Sequence, residues 1–402
     1  MAGKDKKPDI RFSEFIGAWE QRKLGEIYKE RNERGDDSLP ILSVSIRHGV
    51  SNEELDSDTL GKKVRRSEDK SLYKHVYFGD LVLNMMRAWQ GAIGVVKSEG
   101  MVSPAYITAI PDAQLYPLFM DYCLRRDETI IQINNLSYGV TDFRKRLYWD
   151  SFINVLCHIP SVPEQERIAA IFAHIDNLIT LQQRKYEKLI IIKKSTVEKM
   201  FPEHGANVPE IRFAGFTGAW EKRRLGEVIM ELEGYTTLKS GYPLLTSSRN
   251  GLMFQDEYRG NVTTYNENTL FSIVPYGKCT YRHMSDDDIF HFNINYIVEN
   301  GLVSREYPVF DAYGHNCLSF IVEYLNSSNR FISFCKEQKK GGTRTRLYYK
   351  NLCDFTLFIP QYDEQLKIAT FLSNLDRSIT LHRRKLEKMK NIKKAMLEKM
   401  FV

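Results

Sequence analysis

Two long stretches of the chain carry apolar residues at alternating intervals of three and four positions. They lie at 164–201 and 364–401, and neither contains a Gly or Pro residue. Such spacing predicts helices with an apolar stripe along one side. The stripe positions are Ile168, Ile171, Ile175, Leu178, Ile179, Tyr186, Leu189, Ile192 and Met200, then Ile368, Phe371, Leu375, Ile379, Leu386, Met389, Ile392, Met396 and Met400.

One such helix cannot bury its stripe alone, so we expect the two to pack on each other. At 1.5 Å per residue, each predicted helix would be a rod of about 57 Å. That exceeds the diameter of roughly 30 Å expected for a domain the size of the segments before each helix. A chain that runs domain, helix, domain, helix can pair its helices antiparallel and hold the two domains at opposite ends of the rod.

The helices belong to an internal duplication. Positions 8–27 and 209–228 share 13 of 20 residues, and positions 159–202 and 359–402 share 21 of 44. The two intervening segments, 28–158 and 229–358, have nearly equal lengths but share only short landmarks. A repeat of this length exceeds the roughly 20–50 residues of a solenoid unit. It indicates one scaffold used twice to present two different specificities.

The two middle segments have the pattern of mixed α/β domains. Short β-rich runs at 40–44, 81–83, 92–96, 243–246 and 296–298 end at turn-forming residues. Amphipathic patches near 115–134 and 317–337 predict helices under the sheets. Three landmarks recur in both middles: the runs beginning at Pro40 and Pro243, the Gly-x-Val-Ser segments at 100–103 and 301–304, and the Arg-Leu-Tyr segments at 146–148 and 346–348.

These patterns together predict an α+β protein with an approximate two-fold internal symmetry. Two mixed α/β domains, 1–158 and 203–358, would be joined by two long antiparallel spacer helices that resemble a coiled coil, 159–202 and 359–402. We interpret Trp19 and Trp220, which belong to the repeated frame, as packing anchors.

The composition predicts that the protein is soluble and cytoplasmic. The charged start of the chain leads into no apolar stretch, and the six cysteines show no CxxC pairing or metal-like spacing. The net charge is +6, with basic residues concentrated in the later part of each predicted helix. Two explanations remain open for these basic runs: a solvated helix face favoured by the helix dipole, or a surface for a polyanion or an acidic protein.

Motifs for catalysis are missing from the sequence. It contains no P-loop, no GxGxxG after a strand and no HExxH. The aspartate run 286–288 and the pair Asp56 and Asp58 suggest solvated loops and not a metal nuclease, because neither recurs in the other copy. We therefore predict no catalytic residue, no metal ligand and no cofactor bound by this chain.

Nucleic-acid chemistry is present, because aromatic residues alternate with basic and amide residues in both middles. Arginine can bind guanine N7 and O6, amides can pair with adenine, and small polar groups can bind phosphates. We predict DNA-binding residues in each middle. In the first they are Arg47, His48, Arg87, Trp89, Gln90, Tyr138, Arg144, Lys145 and Arg146; in the second they are Ser248, Arg249, Asn250, Tyr281, Arg282, His283, Arg344 and Arg346.

Over nearly its whole length the sequence resembles the specificity subunits of type I restriction–modification systems. The resemblance is carried by the twin Phe-x-x-Phe-x-Gly-Ala-Trp-Glu openings that run on to Leu-Gly-Glu, the Ile-Pro-x-x-x-Glu-Gln helix starts, the Gly-x-Val-Ser-x-x-Tyr landmark and the two variable middles. One departure is the loop before Arg146, which is two residues longer than its counterpart before Arg346.

The resemblance implies a non-catalytic subunit of an adenine DNA methyltransferase and restriction endonuclease complex. Its two target-recognition domains would each bind one half of a split double-stranded DNA target. It would also bind two methyltransferase (modification) subunits and, through the complex, the restriction subunits with translocase and nuclease activity. S-adenosylmethionine, ATP and Mg would then be bound by those partners. Because the two middles differ, the half-sites should differ, and a rigid rod should fix the gap between them.

Two other functions remain to be compared with this one. A self-contained restriction or modification enzyme would need methyl-donor and nuclease motifs, which the sequence lacks. A non-specific architectural coiled-coil protein would not need divergent middles inside repeated frames.

Overall fold

The computed structural model describes residues 7–36, 38–46, 49–51, 72–139, 145–202, 206–260, 265–339 and 343–402. The chain forms two compact units. The first contains Met1–Gln183 and Arg384–Val402, and the second contains Arg184–Arg383. Each unit therefore holds one predicted recognition domain and one end of both long helices.

The first unit is built on an antiparallel four-stranded sheet with the order β2-β9-β6-β7. Two-stranded pairs, β1-β10, β3-β4 and β5-β8, surround it. The strands are β1 Glu20–Lys23, β2 Tyr28–Glu30, β3 Ser43–Ser45, β4 Gly49–Ser51, β5 Lys74–Val76, β6 Leu81–Asn84, β7 Ile93–Val95, β8 Gly100–Val102, β9 Tyr106–Pro111 and β10 Leu156–Ile159. The helices are α1 Leu24–Ile27, α2 Pro117–Cys123, α3 Asp127–Leu136, α4 Trp149–Phe152 and the long α5 Val162–Met200.

The second unit repeats the four-stranded sheet with the order β12-β21-β17-β19. Beside it lie a three-stranded sheet, β13-β16-β20, and the pairs β11-β23, β14-β15 and β18-β22. The strands are β11 Glu221–Arg224, β12 Ile229–Glu231, β13 Tyr235–Thr236, β14 Leu245–Ser248, β15 Gly251–Phe254, β16 Phe271–Pro275, β17 Cys279–Tyr281, β18 Met284–Ser285, β19 Phe292–Ile294, β20 Asn300–Ser304, β21 Val309–Ala312, β22 Thr345–Arg346 and β23 Thr356–Ile359. The helices are α6 Gln255–Arg259, α7 Leu318–Ser327, α8 Asn329–Glu337, α9 Tyr349–Leu352 and the long α10 Tyr362–Lys399.

The repeated frame of the sequence closes each middle segment at its base. In the first unit, the Leu24 amide donates to the Val155 carbonyl (2.9 Å), beside the β1-β10 pair. In the second, the Leu225 amide donates to the Phe355 carbonyl (2.8 Å), beside β11-β23. The chain thus leaves and re-enters each middle segment at one point, which explains why the frame residues are retained while the middles differ.

The two long helices are antiparallel in both units, as their stripes predicted. In the first unit, Lys393 of α10 contacts Asp176 of α5 at 2.6 Å, and Phe401, two residues after α10, packs near Phe172 with 5.8 Å between ring centroids. The later residue of α10 therefore faces the earlier residue of α5. In the second unit, Lys193 and Asp376 make the equivalent ion pair, also at 2.6 Å.

A buried ion pair joins the repeated opening to the start of each long helix. Arg11 donates from Nε and Nη2 to Glu164 at 2.6 and 2.7 Å, and Arg212 does the same to Glu364. Both glutamates are 1% exposed. The nearby tryptophans of the frame, Trp19 and Trp220, are 4% and 2% exposed, which confirms that they are packing anchors.

The glycine of the Gly-x-Val-Ser landmark is required by a close approach of two chain segments. A Cβ atom on Gly100 would lie 2.7 Å from the Pro40 carbonyl oxygen, and one on Gly301 would overlap the Leu245 side chain. The Met101 amide donates to the Pro40 carbonyl (2.9 Å), and the Leu302 amide donates to the Pro243 carbonyl (2.8 Å). Two of the three sequence landmarks are therefore one structural contact that occurs in both units.

The predicted helices near 115–134 and 317–337 are confirmed as α2 with α3 and as α7 with α8. The strand predicted at 296–298 is wrong. The buried Asn295 side chain accepts hydrogen bonds from the amides of Ile297 and Val298 and donates to the carbonyls of Val274 and Val298. These bonds fold the segment into a turn between β19 and β20, because an Asn side chain competes with strand pairing for the backbone groups.

Large apolar side chains fill a core in each unit, and each core includes residues from both long helices. Four of the six cysteines are buried, and all six are free thiols. Within the described ranges, no helix is both long enough and apolar enough to span a bilayer.

Candidate nucleic-acid interface

The Arg-Leu-Tyr landmark is attached to the same point of the sheet in both units. The Leu147 amide donates to the Met85 carbonyl just after β6 (2.9 Å), and the Leu347 amide donates to the His283 carbonyl just after β17 (2.8 Å). Both leucines are 0% exposed and anchor the segment in the core. The arginine that precedes each leucine is exposed, so Arg146 and Arg346 project from equivalent places.

In the first unit, the predicted residues after β6 form a basic and aromatic surface. Arg87 and Gln90 are exposed, and the half-buried Trp89 donates from its indole nitrogen to the Met86 carbonyl at 2.9 Å. The Lys145 ammonium lies 5.7 Å from the Trp89 ring centroid and donates to the Asn134 side chain at 2.6 Å. Lys145 thus links the loop before Arg146 to the turn after β6.

Tyr138 belongs to the same surface. Its backbone pairs with that of Arg146 through two hydrogen bonds of 3.0 Å, and 54% of its side chain is exposed. Its ring stacks on Tyr148, with 4.8 Å between centroids. The structure therefore brings together Arg87, Trp89, Gln90, Tyr138, Lys145 and Arg146.

In the second unit, exposed arginines surround the turn that follows β17. Arg282, which lies two residues before β18, and Arg346, which belongs to β22, are both exposed. Arg344 donates from Nε to Asp286 at 2.7 Å, and Arg249, on the turn between β14 and β15, contacts Asp287 at 2.8 Å. The Ser248 hydroxyl accepts from the Asn250 amide and donates to the Gly251 carbonyl, so it shapes the turn that presents Arg249 and Asn250.

Two of the predicted DNA-binding residues are buried in the structure. Tyr281 is 0% exposed, and its hydroxyl donates to the Leu347 carbonyl at 3.0 Å inside the core. His283 is 3% exposed, and burial lowers the pKa of its imidazole. Successive side chains of an extended segment point to opposite faces. Tyr281 and His283 therefore turn inward, while Arg282 between them turns outward. Three further predicted residues, Arg47, His48 and Arg144, lie outside the described residues.

Sequence reasoning missed the aromatic residue of the Arg-Leu-Tyr landmark. Tyr348 is 53% exposed and stacks on His283 with 5.6 Å between ring centroids, as Tyr148 stacks on Tyr138. The recurrence of the landmark in both copies was the available signal. The predicted solvated loop at 286–288 is exposed at Asp286 and Asp287. The sequence did not indicate that each of its three carboxylates contacts a basic side chain.

Both surfaces combine guanidinium groups with exposed planar rings. Such groups bind phosphate oxygens, the edges of bases in the major groove and the faces of unstacked bases. No set of three or more His, Cys, Asp or Glu side chains in the part of the chain that the structure describes is arranged to hold a metal ion.

Comparisons with known proteins agree with this duplicated arrangement. Residues 218–391 match the family model of the type I restriction modification DNA specificity domain. The crystal structure of the type I restriction–modification system S subunit from M. genitalium is similar in fold, with 12% identity, 99% of each chain covered and a TM-score of 0.59. The HsdS subunit from Thermoanaerobacter tengcongensis aligns at 17% identity over 95% of this chain and 96% of its own, with a TM-score of 0.44.

The matched segment contains most of the second unit, and the frame contacts of that unit recur in the first. Both halves thus have the architecture of a DNA-specificity domain. Residues 218–391 thus match a type I restriction modification DNA specificity domain, and the chain as a whole has a fold similar to that of the M. genitalium S subunit.

Proposed function

We propose that this chain selects an asymmetric, two-part DNA target, with one half-site bound by each recognition domain. The observation that carries the proposal is the equivalent placement of Arg146 and Arg346 on two sheets of the same topology. The surrounding side chains differ: Trp89 and Gln90 follow the strand in the first unit, whereas three aspartates occupy that turn in the second. Equal scaffolds with unequal loops support recognition of two different half-sites.

The interface that we propose consists of exposed and half-buried residues on these two surfaces. In the first domain it includes Arg87, Trp89, Gln90, Tyr138, Lys145 and Arg146, and in the second Arg249, Asn250, Arg282, Arg344 and Arg346. Arg47, His48 and Arg144 remain candidates from the sequence. We add Tyr148 and Tyr348, whose rings extend each surface.

The chain has no catalytic role in this proposal. Two methyltransferase subunits and the restriction subunits supply the chemistry, together with S-adenosylmethionine, ATP and Mg. The basic segments of the long helices and exposed apolar side chains such as Ile191 (66% exposed) and Leu381 (56% exposed) offer surface for those protein partners.

Methylation mapping of the host genome tests the proposed function. Deleting the gene should abolish methylation at one split motif, and restoring the gene should restore the same motif. The purified chain alone should show no methyl transfer, ATP hydrolysis or DNA cleavage. A methylation pattern that does not change on deletion, or turnover by the chain after its partners have been removed, would refute the proposal.

Arg146 and Arg346 provide a matched test of DNA contact. Neither has a carboxylate partner among the described side chains, so we expect them to bind phosphates. Changing either to Ala should reduce the slope of log affinity against log salt by about one and weaken target and non-target DNA alike. The Lys222→Ala variant, on the frame strand β11, serves as a control with an unchanged slope. Unchanged salt dependence in both arginine variants would remove them from the interface.

A further inference from the structure

The exposed arginines of the second unit fall into two classes. Arg344 and Arg249 are each held by a carboxylate of one turn, at 2.7 Å from Asp286 and 2.8 Å from Asp287. Arg282 and Arg346 are also exposed, but within 265–339 and 343–402 they make no ion pair with a carboxylate. The two classes should therefore respond differently to DNA.

The aspartate turn is itself fixed to its surroundings. The Ser285 hydroxyl donates to Asp287 at 2.8 Å, and Asp288 accepts from the Thr345 hydroxyl and contacts Lys339 at 3.5 Å. Ser285 and Thr345 are also paired across β18 and β22. The hydrogen bond from Ser285, with Arg249 nearby, holds the pKa of Asp287 below its ordinary value, so the carboxylate stays ionised. The turn can consequently hold arginines from two separate loops in fixed positions.

A carboxylate beside an arginine changes what the arginine prefers to bind. The guanidinium group carries five donors in one plane, and a carboxylate occupies only part of them. The donors that remain can form two parallel hydrogen bonds with guanine O6 and N7. A phosphate is less favoured there, because the carboxylate already neutralises the arginine and repels a second anion.

We propose that Arg249 and Arg344 each bind a guanine edge in the half-site of the second domain, with Asp287 and Asp286 as the residues that position them. This inference rests on the proposed function and adds the identity of the base that the two arginines bind. The first unit has no such pairing of an aspartate with an arginine at the matching place. Since Met85 and His283 occupy equivalent positions, Asp286–Asp288 correspond to Ala88, Trp89 and Gln90. The described residues at that place in the first unit thus lack the paired-arginine arrangement.

The test uses the chain in complex with its methyltransferase subunits and measures binding to DNA in which each base of the second half-site is varied. Arg249→Lys and Arg344→Lys retain the charge but lose the planar pair of donors. Each should reduce discrimination for guanine at one position by about 5- to 150-fold, with the salt slope unchanged. Arg223→Lys, at an arginine of the frame strand β11 that is likewise paired with a carboxylate (Glu227, 2.7 Å), is the matched control and should leave base preference unchanged at every position.

The positioning role has its own readout. Asp287→Asn should reduce discrimination at the position that Arg249→Lys affects, while affinity for non-target DNA rises because a negative charge is lost. Hydrogen exchange of the complexes shows whether the variants remain folded. A second half-site without guanine, or full discrimination in both lysine variants, would overturn the inference. Neither result would affect the proposed function, whose own test is the loss of methylation on gene deletion.

Discussion

The Arg11→Ala variant should lose about 3–5 kcal/mol of stability in the first unit. That is the usual cost of removing one partner from a buried ion pair, because the remaining charge stays buried without compensation. Glu164 is 1% exposed and would retain only a long hydrogen bond of 3.4 Å from the Trp19 indole. The expected loss is large because this pair attaches the start of the chain to the start of α5.

Hydrogen exchange followed by peptide is the appropriate measurement, since a protein with two units does not unfold in a single step. Protection should fall in the first unit and stay unchanged in the second, whose own pair, Arg212 and Glu364, is intact. Replacing both Arg11 and Glu164 by Met should cost less than Arg11→Ala alone, because no unpaired charge is left behind. Equal losses in the single and double variants would contradict this account.

Exchanging the segment 28–155 for the corresponding segment of another specificity subunit should replace one half of the methylated motif and leave the other half intact. The structure supplies the boundaries of the exchange. Strand β1 and its partner β10 lie outside the exchanged segment. The Leu24 amide donates to the backbone carbonyl of residue 155, and a residue of any type has that carbonyl. The new domain would therefore be closed by the same frame.

The reciprocal exchange of 229–355 is the internal control, and it should change only the other half of the motif. Motif sequencing after each exchange gives the answer directly. If either exchange altered both halves of the target, the two recognition domains would not act independently.

The sequence predicted the parts of the fold that depend on periodicity and on the duplication. The long helices begin and end within two residues of the predicted 164–201 and 364–401, because no Gly or Pro interrupts either stretch. The frame was recognisable in the sequence because its residues recur in both copies, and in the structure these residues make the same backbone contacts in both units. By contrast, the segment around Asn295 looked like a strand, and only the buried amide shows why it turns.

The sequence indicated which types of residue form the interface, but it did not indicate the direction in which each side chain points. Arg282 was correctly separated from the core by its chemistry, but Tyr281 and His283 were grouped with it although they alternate with it in direction. The partners of Asp286 and Asp287 come from loops 58 and 38 residues away in the chain, at Arg344 and Arg249. Contacts between such distant loops depend on the tertiary fold, and no local pattern indicates them.

The chain segments that form each unit also set the order in which the two units can finish folding during translation. The second unit is one continuous segment, Arg184–Arg383, whereas the first needs Arg384–Val402. Phe401 packs against Trp19 and Phe119, and the Ile10 amide donates to the Lys399 carbonyl at 2.9 Å. Translation at about 5–20 residues per second separates the two ends of the first unit by tens of seconds. The half of the protein that is synthesised first is therefore the last to close its core.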